Sequence, residues 1–164
     1  MKRIFLGVLV GILVWGFFLL LSDFVWVLVS PDWYGKYQIE LQSAISKNTP
    51  FTWQTSILVI VILRSLLYSM ISGIITAKIA QENDKSTLIL GNLLLLFGGI
   101  IHSLYWTITP FWFHFFILFF LIPVPYLSGK LFVNRFHRQK AETNSETEIE
   151  ANLTFPKVSL NYKQ

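Results

Sequence analysis

Four long apolar runs, each closed by a short polar break, set the pattern of this chain. The first runs from Ile4 to Leu21 without a polar residue, passes Ser22–Asp23, and continues through Phe24–Val29 until Ser30-Pro31-Asp32 ends it. The second covers about 56–77 and carries Arg64 near its middle. The third covers 88–108. The fourth begins after Pro110, is crowded with Phe, and reaches about 133, with Pro123 and Pro125 inside it. A stretch of about 18 or more such residues reads as a membrane span. The pattern therefore predicts an all-α membrane protein, a four-transmembrane-helix bundle over 1–133 with spans about 4–29, 56–77, 88–108 and 111–133. The two prolines remove backbone donors and should kink or break the last span. The polar stretch Gln81-Glu82-Asn83-Asp84-Lys85 turns the chain between the second and third spans. Only Thr109-Pro110 separates the third from the fourth, which predicts a tight antiparallel hairpin.

Two segments depart from the long-run pattern. Between the first two spans, Trp33, Tyr37, Leu41 and Ala44/Ile45 recur at helical spacing opposite Lys36, Glu40 and Lys47. That suits a short outer interfacial helix over 32–46 with Trp33, Tyr37 and Leu41 inward; an aromatic-rich loop is the alternative. From Asn134 to Gln164 a basic start (Arg135, Arg138, Lys140) gives way to Glu142, Glu146, Glu148 and Glu150 among Thr, Ser and Asn. This composition predicts a polar, disordered tail.

Charge orients the layout. Lys2, Arg3, Lys78, Lys85, Lys130, Arg135, Arg138 and Lys140 fall on one side, Lys36 and Lys47 on the other. The positive-inside rule then places both termini in the cytoplasm of a bacterial cell, with the protein multi-pass in the inner membrane. The basic n-region Lys2-Arg3 also begins a signal peptide, but the apolar run outlasts such a core and no A-x-A-like site follows, so the segment reads as an uncleaved helix. Trp26, Trp33, Tyr34, Trp53, Tyr105, Trp106 and Trp112 cluster near the outer interface, where amphipathic rings settle. With 54% hydrophobic and 13% charged residues and no cysteine, the chain excludes a separate soluble domain, thiol catalysis and a zinc–thiolate site. Its net charge of +4 sits at span ends and not in a patch interleaved with stacking aromatics, so nucleic acid is no partner. The lipid bilayer is.

Spans need small residues where backbones approach. Ser65, Ser69, Gly73 and Ala77 form one such face on the second span, Gly7 and Gly11 a GxxxG pair on the first, and Gly98 and Gly99 a pair on the third. These faces serve either contacts within the bundle or a seam with a homodimer mate or another membrane protein. The run Ser72-Gly73-Ile74-Ile75-Thr76-Ala77-Lys78-Ile79-Ala80, then Gly91, Pro110-Phe111-Trp112, Pro123 and Ser128-Gly129-Lys130-Leu131 resembles a loose set of small uncharacterised bacterial four-helix membrane proteins. Those proteins carry a Gly pair near the end where this chain has Ser128-Gly129, and His-Ala where it has Ser86-Thr87. The resemblance covers roughly 60–131, implies the four-helix fold and carries no activity.

No residue pattern assigns catalysis: there is no G-x-S-x-G elbow, H-E-x-x-H, Walker loop or dinucleotide fingerprint. No cofactor is implied. His102 and His114 can approach across the short hairpin, with Asp23, Asp32 or Glu40 as further ligands, but Arg64 in the same layer opposes a bound cation, so no metal is expected. His137 belongs to the basic stretch beyond the last span. The residues that stand out are Arg64, His102 and Asp23. Arg64 lies roughly 12 Å and His102 roughly 9 Å inside the outer ends of their spans at 1.5 Å per residue. A mid-span Arg costs about 2.5–3.5 kcal/mol on insertion scales, and Asp23 is the acid within reach. They form a polar intramembrane cluster, or else Arg64 snorkels alone with Ser65 or Tyr68 beside it. The expected role is structural or accessory within a membrane assembly. The alternatives are a small transporter or permease subunit in which Arg64 holds an anionic group, and a membrane-embedded enzyme using His102 and Asp23. An accessory role predicts no cavity at Arg64, a transporter predicts a cavity that opens to both sides in turn, and an enzyme predicts acid and base in one pocket.

Overall fold

The computed structural model describes residues 1–47, 49–82 and 84–135. Its long helices are α1 (Lys2–Val29), α3 (Thr55–Ala80), α4 (Lys85–Leu104) and a fourth span, Phe111–Arg135. That span is α5 (Phe111–Phe120) followed, after a turn at Leu121 and Ile122, by α6 (123–135). All four are long and apolar enough to cross a membrane. A wide turn, Pro31–Gly35, and the shorter α2 (Lys36–Lys47) lie between α1 and α3. The architecture is the expected all-α four-helix bundle. Asn134 and Arg135 belong to α6, and the remainder of the expected tail, with His137, lies outside the described residues.

Each boundary has a local cause. Ser30, at φ −136°, leaves helical geometry directly before Pro31, where the proline ring disfavours the α conformation, and its N–H closes on the Trp26 carbonyl at 3.0 Å. The next turn is wide: the Gly35 N–H reaches back five residues to Ser30 O at 3.0 Å. This extra residue rotates the following helix, so Tyr34 and Tyr37 are the rings fully buried, with Ala44 behind them and Leu41 and Trp33 half-buried. The expected helix over 32–46 is present, with Tyr34 taking the inward place that spacing alone gave to Trp33. α4 ends at Leu104 and not at Ile108. Tyr105, at ψ 4°, leaves the helix, and its carbonyl accepts from Ile108 N at 3.0 Å and Thr109 N at 2.9 Å, so the hairpin is a Tyr105–Pro110 turn. The break before Pro123 places the Pro125 backbone directly against Gly73 of α3.

On the turn between α3 and α4, Gln81 takes the left-handed conformation (φ 55°) and Arg3 donates to its side chain. Glu82 then folds over the start of α4. Its carboxylate accepts from the backbone N–H of Asp84 at 2.8 Å, Lys85 at 2.6 Å and Ser86 at 2.9 Å. Helix N-termini leave these donors without intrahelical partners, and a negative charge there also suits the helix dipole. Partial burial acts to raise the Glu82 carboxyl, but the backbone donors of Lys85, Ser86 and Asp84 outweigh it and hold the group below its usual range.

The interior inverts the soluble pattern. Large apolar side chains such as Leu13, Phe17, Leu20 and Phe24 point outward, while small and hydroxylic residues are buried. In lipid this is the expected arrangement, because apolar side chains gain little by leaving hydrocarbon and helices are held by close packing and hydrogen bonds. Between α1 and α3 these contacts form a ladder. Trp15 Nε1 donates to Ser69 Oγ at 3.2 Å, Ser72 Oγ to Gly11 O at 2.6 Å, and Thr76 Oγ1 to Gly7 O at 3.1 Å. A Cβ on Gly7 would stand 2.8 Å from the Thr76 carbonyl, and one on Gly11 would strike Thr76 Oγ1. α3 turns Gly73 to α6, where Ser128 Oγ donates to Met70 O at 3.1 Å, and Ala77 meets Gly129. Gly98 receives Leu121, whereas Gly99 faces open space. The GxxxG pair and the α3 face are thus occupied inside the bundle.

Two outcomes follow. Gly11→Ala should destabilise the protein by about 1–3 kcal/mol through overpacking, while Gly16→Ala, which meets nothing within 4 Å, should be neutral or mildly stabilising. Denaturant titration in mixed micelles compares the two. Glu82→Gln should remove about 1 kcal/mol at neutral pH, the scale of a helix cap. The folded-state carboxyl is depressed, so its contribution is full above the unfolded pKa and fades as pH falls through the folded one. The gap between wild type and E82Q should therefore close on acidification.

Candidate functional site

Where α1, α3, α4 and α5 spread apart toward α2, they enclose a cavity of about 410 Å³. Its walls are mainly apolar, with Trp15, Leu58, Phe113 and Leu121 among them, and Tyr37, Gln38 and Leu41 of α2 together with Trp53 close over it. This cover is fixed by aromatic contacts and by the hairpin. The Tyr37 and Trp53 rings lie 5.9 Å apart, Phe51 packs edge-on against both, and Trp53 Nε1 donates to the Ile108 carbonyl. Trp33 Nε1 donates to Gln54 Oε1 at 2.8 Å, tying the wide turn to the start of α3.

Arg64, Asp23 and His102 all line this cavity. Arg64 Nη2 pairs with Asp23 Oδ1. The same oxygen accepts from Tyr34 OH at 2.6 Å, and the Tyr34 ring lies 5.6 Å from the guanidinium carbon, within cation–π range. Burial first, and the bond to Asp23 second, push the Tyr34 phenol up to about 12, so it stays a donor; burial also raises Tyr37. The pair is lopsided. Asp23 is 46% exposed, whereas Arg64 is 10% exposed. Arg64 Nε and Nη1, and Tyr37 OH, are buried without a hydrogen-bond partner among the described residues.

His102 shares the wall but is engaged elsewhere. Its Nδ1 lies 2.7 Å from His114 Nδ1, and His114 Nε2 contacts Thr109 Oγ1. Thr109 spends its single hydroxyl proton on the Tyr105 carbonyl at 2.7 Å. His114 Nε2 must therefore donate to Thr109, which leaves His114 Nδ1 as acceptor and His102 Nδ1 as its donor. His102 Nε2 becomes the open, accepting end of this relay. Trp106 stacks on His114 at 4.7 Å and holds the ring. Among the described residues no group of three or more His, Asp or Glu side chains is placed to hold a metal ion.

Of the residues singled out from sequence, Arg64 and Asp23 meet directly, His102 shares their cavity, and His102 and His114 meet across the hairpin. Ser65 and Gly98 line the cavity, while Ser69, Gly73, Ala77, Gly7 and Gly11 pack below it or behind its walls. Tyr34 and Trp53 were legible only as interface aromatics, and Tyr37 only as an inward residue of the short helix. Their polar ends become part of the site because the wide turn swings α2 over the bundle. No protein-family model matches the chain, and no curated protein and no solved structure matches it either. The class defined by fold and site is a multi-pass, four-helix membrane-type protein whose helices frame a cavity lined by a polar cluster.

Exchanging the charges tests the pair. Asp23→Arg and Arg64→Asp should each lower stability, and the double exchange should recover about 1–3 kcal/mol. The value falls short of a fully buried pair's because Asp23 is half in solvent. Additive losses in the micelle titration would show that the two side chains act independently.

Proposed function

We propose that this protein is an accessory component of a bacterial inner membrane that holds an amphipathic small molecule in the cavity under α2, its polar end toward Arg64 and Asp23. The observation that carries this reading is the cavity itself. Its volume of about 410 Å³ falls in the range of small-molecule sites, and its mainly apolar wall carries a few convergent polar groups. A purely structural accessory role predicts no cavity at Arg64; the cavity there runs against that form of the role and supports one that holds a ligand. Holding is favoured over alternating access because the cavity stops at Trp15 on α1 and Ser65 on α3. Beyond them the glycine and hydroxyl ladder brings the two backbones into contact. The basic ends of the helices face the cytoplasm in this proposal, so the cavity belongs to the outer leaflet.

Trp15 and Trp53 in the wall supply the readout. A terminally brominated hexadecanol added to the purified protein should quench tryptophan fluorescence to a saturating limit, and Val61→Phe should weaken its binding by about tenfold, a change near 1.4 kcal/mol. Quenching that rises without saturation and is indifferent to Val61→Phe would refute the binding role. For the orientation, a reporter fused at Gln164 should be active in its cytoplasmic form; activity only in the periplasm would reverse the assignment.

A further inference from the structure

The polar end of the cavity is more specific than its apolar walls, and the partner set of Arg64 shows how. A guanidinium carries five N–H bonds. Asp23 engages Nη2, while Nε and Nη1 are buried with no partner among the described residues. Buried polar groups in folded proteins are nearly always bonded, and an unbonded cationic donor is among the most costly to leave so. Tyr37, on the cover, lines the same space, and its buried OH has no partner among the described residues either. Three nitrogen and oxygen centres that donate, on two residues lining one cavity, call for an acceptor oxygen that the described residues do not supply.

Charge narrows the class. Arg64 is the one Lys or Arg among the lining residues, and Asp23 already faces it. An anion bonded to Nε or Nη1 is nearer to the guanidinium than to Asp23, so attraction exceeds repulsion at that position. A second negative charge on the same head would find no further Lys or Arg among the lining residues. We infer that the site takes an amphiphile with one negative charge on its oxygen head, seated on Arg64 Nε or Nη1 and Tyr37 OH, with its apolar body among Leu58, Phe113 and Leu121. This rests on the ligand-holding role proposed above. A free long-chain carboxylate and the phosphodiester of an anionic lipid share this chemistry.

The test compares matched probes on the full chain in a nonionic detergent. Terminally brominated hexadecanoate should bind at least about tenfold more tightly than the brominated alcohol of equal length, the gain expected of charge-assisted hydrogen bonds. Hexadecyltrimethylammonium should not compete. Arg64→Gln should abolish the preference, so that carboxylate and alcohol bind with equal affinity. If that variant does not accumulate, Arg64→Lys, which keeps the charge but lacks the Nε and Nη1 donors, should narrow the preference. Equal binding of acid and alcohol in the wild type would overturn the monoanion inference while leaving the cavity reading intact; failure of both to saturate would overturn the cavity reading. Displacement of the carboxylate probe by phosphatidylglycerol, and not by phosphatidylcholine, assigns the site to lipid headgroups; resistance to both, with displacement by unlabelled hexadecanoate, assigns it to free carboxylates.

Discussion

Lipid gives apolar helices little reason to prefer each other over the acyl chains around them, so this bundle depends on how closely backbones can approach. α3 meets that constraint with one nearly continuous small face, Ser65 through Ala80, that receives α1 on one side and α6 on the other. The hydroxyls donate to carbonyls of neighbouring helices, and the glycines let them arrive. Everything nearer α2 follows from this. Because the seam is tight only from Trp15 and Ser69 toward the basic end, the helices can diverge at the other end and leave a space there.

That space is stabilised from above. Tyr34 and Tyr37 pack with Ile57, and Trp53 anchors the cover to the Tyr105–Pro110 turn. The Arg64–Asp23 pair joins the cover to the bundle, since Tyr34 hydrogen-bonds the same carboxylate oxygen. Cover, ion pair and cavity are therefore one mechanical unit. A change in any of the three should be felt by the others, more so than by the seam below.

The four helices were legible because their apolar runs are long and their punctuation is strong: Ser30-Pro31, Gln81 to Lys85, Pro110 and Pro123. The partnership of Arg64 with Asp23 was legible from cost and scarcity, a buried cation and the one acid within reach. So was the approach of His102 to His114, which the short hairpin imposes. What could not be read was the rotation of α2. One wide turn at Pro31–Gly35 adds a residue to the helical count and exchanges Trp33 for Tyr34 as the inward ring, and no spacing rule anticipates such a turn. The cavity was equally hidden, because it arises from divergence between helices whose individual patterns are ordinary. Gly99 shows the converse limit: beside Gly98 it looks like a packing residue, yet only Gly98 faces α5.

The order of Asp23 and Arg64 along the chain bears on how the protein is made. α1, with Asp23 near its far end, leaves the ribosome well before α3. A helix carrying an unrelieved central Arg enters a bilayer at a cost of about 2.5–3.5 kcal/mol. If α1 is already in place when α3 arrives, Arg64 can cross the insertion site beside a carboxylate and its glycine-lined neighbour, and the two helices can enter hydrocarbon as a neutral hairpin. The ion pair would then be a feature of biogenesis first, making the delivery of the third helix in the fold conditional on correct placement of the first.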